Sequence, residues 1–167
     1  MSLPFTLAAL VLLLMAAWHD IATRLIPDGI SLWLLALGAL ARLFGAPSNL
    51  AFSLETALLL LALLLILHSR GLIGGGDVKV MTALAVGLSP LDCYRFIVAT
   101  AIAGGLLGTS YLVLSATLPA MHSVRGASLL NRVAILETRR IRRRGPLPYC
   151  VAIAAGGTFV LLHTGGS

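Results

Sequence analysis

Long apolar runs alternate with short polar joints along the whole chain. The apolar segments cover about residues 3 to 18, 29 to 46, 50 to 68, 78 to 91, 94 to 118 and 148 to 163. Each is a continuous series of Leu, Ala, Ile and Val without the two-residue alternation of a half-buried strand. Within lipid every backbone polar group must find its partner inside the protein, which leaves helices or a closed barrel. The pattern therefore predicts an all-α integral membrane protein, a polytopic bundle of about six transmembrane helices. Segments two and four are short for a hydrocarbon core of about 30 Å, so tilt, local thinning or snorkelling of Arg42 has to make up the difference. The fourth segment is the weakest of the six, and no repeat of a transporter kind is visible.

Composition points the same way. Apolar residues make up 59% of the chain, charged residues 11%, and the mean hydropathy is +1.00, far from the soluble globular norm. The length of 167 residues accommodates the spans but no second domain of ordinary size, so residues 1–167 read as a single membrane-embedded domain with a basic loop at 119–147. The net charge is +6, yet seven of the twelve basic residues fall between Arg125 and Arg144, with few aromatic side chains to stack bases. That distribution argues against nucleic acid and for a role in orientation; the run from Arg139 to Arg144 reads as a solvated edge against lipid headgroups, worth about 1 kcal/mol per residue near an anionic surface. Cys93 and Cys150 are too few for a four-cysteine zinc site or a disulfide framework and read as small packing residues. The first segment lacks a positive leading region and reads as a retained helix rather than a cleaved signal.

Charge also sets the orientation. Six spans put both termini on one side of the membrane. With that side outside, Arg24, Arg70, Lys79, Arg125, Arg132, Arg139, Arg140, Arg142, Arg143 and Arg144 are cytoplasmic and only Arg42 and Arg95 are not, a strong bias under the positive-inside rule. The same arrangement brings Asp20 and Asp77 to one cytoplasmic membrane surface although they are 57 positions apart. In a chain with six acidic residues, such a pair is the main candidate for chemistry.

Taken singly, the polar residues have modest explanations. Asp20 needs no more than an ion pair with Arg24 one turn later, worth well under ~1 kcal/mol at a surface. Asp28, after Pro27 and before Gly29, has the position of a helix cap. Gly74, Gly75 and Gly76 form a turn whose glycines permit close backbone approach and positive φ, and no Walker pair follows them. Lys79 either charge-balances Asp77 or anchors the interface, and Arg24 carries the same ambiguity. Glu55 lies near the outer end of segment three. His19, His68, His122 and His163 show no ligand spacing and read as interfacial, with no metal implied. Gly104 and Gly108 form a small-xxx-small pair suited to close helix packing.

Asp20-Ile21-Ala22-Thr23-Arg24-Leu25-Ile26-Pro27-Asp28 followed by Gly74-Gly75-Gly76-Asp77-Val78-Lys79 resembles the two motifs of the type IV prepilin peptidases, membrane aspartic proteases with a GxGD site. The short length and the late Pro148-Tyr149-Cys150-Val151 stretch are most similar to the branch serving Flp, or tight-adherence, pili. The resemblance implies that Asp20 and Asp77 are the catalytic pair, with Gly74, Gly75, Gly76 and Lys79 supporting the loop and Arg24, Pro27 and Asp28 in structural or orienting roles. It further implies a multi-pass protein of the bacterial inner membrane, prepilin or pseudopilin substrates, membrane lipid as surroundings, and no metal or other cofactor. Cys150 departs from the glycine expected at its position, which bears on helix packing more than on catalysis. Longer members also carry a region with paired Cys-x-x-Cys motifs and methylate the new pilin N-terminus; without those motifs, peptidase activity without methyl transfer is expected.

Paired carboxyls suit this chemistry. Two ionised acids about 4 Å apart repel by about 4 kcal/mol at an effective dielectric near 20, so the pair shares one proton. The ionised member takes a proton from water as it attacks the scissile carbonyl, and the protonated member hydrogen-bonds the carbonyl oxygen. Two other readings fit the residues less closely. A small proton-coupled transporter would place its acids deeper in the spans, and a non-catalytic pilus or secretion assembly protein would tolerate loss of either aspartate.

Overall fold

In a computed structural model, residues 3–45, 50–117 and 147–164 are described. They form six helices and, among the described residues, no strand: α1 (Leu3–Thr23), α2 (Asp28–Gly45), α3 (Leu50–Ser69), α4 (Gly75–Gly87), α5 (Pro90–Thr117) and α6 (Tyr149–Thr164). The all-α membrane bundle expected from the apolar pattern is present. Helices α1, α2, α3 and the Pro90–Ser115 portion of α5 are each long and apolar enough to cross a membrane. The basic loop expected at 119–147 lies almost wholly outside the described residues.

Helix α4 has 13 residues, a length of about 20 Å at 1.5 Å per residue, and is too short to span alone. Its place in the bundle accounts for this. It packs against α2, α3 and α6, and Val78, Val80, Met81, Ala83, Leu84, Ala85 and Val86 are buried, so α4 is surrounded by protein rather than lipid over most of its surface. Helix α1 packs on α2 and α6, and α5 lies along α6. The outward faces of the longer helices carry exposed Leu, Phe, Trp and Ile, as a lipid-facing surface requires.

Small residues set the closest approaches. A Cβ on Gly38 of α2 would lie 2.8 Å from the Gly87 backbone nitrogen of α4, so the two main chains touch there. A Cβ on Gly157 of α6 would meet Leu13 of α1 at 2.8 Å and Leu84 of α4 at 2.9 Å, which makes that glycine the point where three helices converge. Gly104 of α5 leaves room for the Tyr149 ring, and Gly108 approaches Leu147. The small-xxx-small pair thus receives the start of α6, in keeping with a packing role. Cys93 and Cys150 are both buried and unbridged, as read from the sequence.

Helix ends differ from the apolar segments for local reasons. Helix α1 continues through Trp18, His19 and Asp20 to Thr23. It stops at Arg24, whose φ of 59° is left-handed and whose N–H donates to the Asp20 carbonyl at 3.0 Å, an αL cap made without glycine. Helix α5 begins at Pro90: Ser89 Oγ accepts the Asp92 N–H at 3.1 Å and its hydroxyl donates to the Asp92 carboxylate, a serine cap with proline in the first turn.

Candidate active site

Chain direction brings three joints to one end of the bundle: the end of α1 with the start of α2, the α3–α4 turn, and the start of α6. Asp20 and Asp77 both lie there. Asp20 sits in the last turn of α1 and is only 8% exposed. Its Oδ2 accepts the backbone N–H of Cys150 at 3.1 Å. Cys150 is the second residue of α6, where backbone N–H groups lack intrahelical partners and the helix dipole favours a carboxylate.

Asp77 occupies the first turn of α4. Its carboxylate accepts the Gly74 backbone N–H, the reach-back of an N3 acid to its cap residue. Asp77 is within electrostatic reach of Asp20 and of Arg24, and both carboxylates act on Cys150. Tyr149 also lies near Asp77. The two aspartates, Arg24, Gly74 and the first residues of α6 thus form one cluster.

The glycine motif is built differently from the expectation. Gly75 and Gly76 are the first residues of α4, and Gly74 caps it with φ −68° and ψ 144°, so none of the three uses positive φ. Their smallness serves close approach instead. A Cβ on Gly74 would fall 3.0 Å from Asp77 Oδ2, one on Gly75 would fall 3.4 Å from the His68 ring, and one on Gly76 would fall 3.1 Å from Ile26. Contact between Ile26 and Gly76 joins the two sequence motifs directly.

Lys79 lies two residues beyond Asp77, and its Nζ meets Asp28 Oδ1 at 2.7 Å. This exposed pair ties α2 to α4. Asp28 opens α2, where its charge also faces the positive helix end, and the Pro27 carbonyl accepts the Ile30 N–H at 3.1 Å. Two contributors escaped the sequence reading. The Cys150 N–H is a main-chain donor whose position no side chain reveals, and His68 Nδ1 engages the Ile73 carbonyl at 2.8 Å, bracing the turn before Gly74.

The fold and the cluster define a helical membrane bundle with Asp20 and Asp77 at one end. The type IV leader peptidase family model matches residues 7–109, a stretch that contains both aspartates and the glycine motif, and the chain belongs to that family. It is thus a membrane peptidase by family. The match stops short of α6, so Tyr149 and Cys150 enter the cluster on structural grounds alone. No curated protein and no solved structure matches the chain.

Proposed function

We propose that this chain is an aspartic endopeptidase that removes the leader from Flp-like prepilins or pseudopilins, with Asp20 and Asp77 as the catalytic pair. The observation that carries the reading is the convergence of these two acids at one end of the bundle within electrostatic reach of each other. The ionised carboxylate accepts a proton from water as the water oxygen bonds to the scissile carbonyl carbon. The protonated carboxyl donates a hydrogen bond to the carbonyl oxygen, and the leaving amine then takes a proton as the peptide bond breaks. No metal or other cofactor enters these steps.

The main-chain N–H of Cys150 holds Asp20, and the Gly74 N–H holds Asp77, so both acids are oriented by backbone. Residues 1–167 act as one peptidase domain of the bacterial inner membrane, with the 119–147 loop cytoplasmic and both termini outside. In that orientation the acids face the cytoplasm, where a basic leader ahead of an apolar pilin helix presents its junction. Co-expression with a Flp-type prepilin tests the reading. Leader removal occurs with the wild-type chain and is lost in Asp20→Asn and in Asp77→Asn; retained processing in either variant removes that residue from the pair.

A further inference from the structure

Helices α2 and α3 both pack on α4 but make no extended contact with each other, which leaves a lateral groove over the face of α4. Its volume is about 530 Å³, and α2 lines it with Asp28, Ser31, Leu32 and Leu35. All three walls share one gradient. Away from the Asp77 end, α2 runs from Asp28 through Ser31 to Leu35, α3 from His68 through Leu65 to Leu61, and α4 from Gly75 and Lys79 to Ala83. A second groove of about 510 Å³, between α5 and α6, has its charged residue, Arg95, near the opposite end of the bundle.

We infer that the groove between α2 and α3 seats the apolar helix of the substrate, with the substrate's polar junction leaving over the α4 N-terminus toward Asp77. This rests on the prepilin reading and adds the place where specificity is exerted. A leader substrate passes from basic to apolar along its length, and the groove passes from an Asp28–Lys79 ion pair to leucine over about two helical turns. Its basic side chains meet the Asp28 carboxylate, which is well exposed at the mouth. Gly75 lines the groove and Gly74 approaches Asp77 Oδ2, so the way from groove to acid is short and is flanked by the His68 ring and Ile26.

The test uses the full chain in membranes with a photo-reactive residue at Leu32, at Leu65 or, as control, at Ile102 in the second groove. Prepilin adducts form at Leu32 and Leu65 and not at Ile102; adducts to lipid alone, or equal labelling at all three, overturn the proposal. Cross-linking requires no turnover, so adducts at the first groove without leader removal would leave the seat standing and refute the peptidase reading. Leu32→Trp and Leu65→Trp, which fill the groove from exposed positions, raise KM for full-length prepilin by about tenfold with kcat little changed. The same variants cleave a soluble peptide carrying only the leader and junction at the wild-type rate. An equal loss on both substrates, or no loss on either, overturns the proposal.

Discussion

The backbone N–H of Cys150 donates to the Asp20 carboxylate at 3.1 Å across 130 residues of sequence. This bond places the N-terminus of α6 against one member of the acidic pair. Because the donor is main chain, the thiol itself is dispensable. Cys150→Ala and Cys150→Gly are expected to keep leader removal within about threefold of wild type, each losing some packing in a fully buried site. The thiol should also resist labelling until the chain is unfolded. Loss of processing in both variants would show that the side chain does more than pack.

Asp20→Asn and Asp77→Asn preserve shape while abolishing general acid–base function, so each is expected to lower processing roughly 10²-fold or more. Comparison of each single variant with the double variant checks that the acids act as a unit. The double variant should be scarcely worse than either single one, because residues of one catalytic constellation are strongly non-additive.

The Lys79–Asp28 pair is exposed on both sides, with 55% and 72% of the side chains accessible. Exposed ion pairs typically contribute about 0.2–1 kcal/mol, and salt weakens them. Lys79→Gln and Asp28→Asn should each shift stability by no more than this, with the coupling in a double-mutant cycle falling as salt is raised. With a cleavable peptide that carries only leader and junction, the pH profile of Lys79→Gln should match wild type, because the ammonium is bound to Asp28 rather than to Asp77. A changed profile would return Lys79 to the acidic pair.

The helices were legible because a continuous apolar run in lipid admits few alternatives, and the placement of Asp20 and Asp77 at one end of the bundle followed from the parity of the spans. Boundaries were less legible wherever local chemistry overrode apolarity. Gly75 and Gly76 have poor helix propensity and read as loop, yet the reach-back of Asp77 and the packing of α4 on three neighbours make them helical. The start of α5 was available in Ser89-Pro90-Leu91-Asp92, a capping signature that precedes the apolar run. The partner of Lys79, the brace from His68 to Ile73 and the approach of α6 to Asp20 depend on tertiary placement that no spacing encodes.

Gly38 and Gly29 both belong to α2 but should respond oppositely to the same change. At Gly38 an added Cβ meets backbone of α4 at 2.8 and 3.0 Å, and main chain cannot rotate aside as a side chain can. Gly38→Ala must push α2 away from α4, at a cost of about 1–3 kcal/mol.

At Gly29 nothing lies within 4 Å of the new methyl, so Gly29→Ala should be neutral or stabilise by up to about 1 kcal/mol through helix propensity. Thermal unfolding in detergent measures both. The Gly38 variant should also lower leader removal, since α2 carries Asp28 and follows the Ile26 contact to Gly76. Equal unfolding temperatures for the two variants would mean that the α2–α4 contact does not govern the fold.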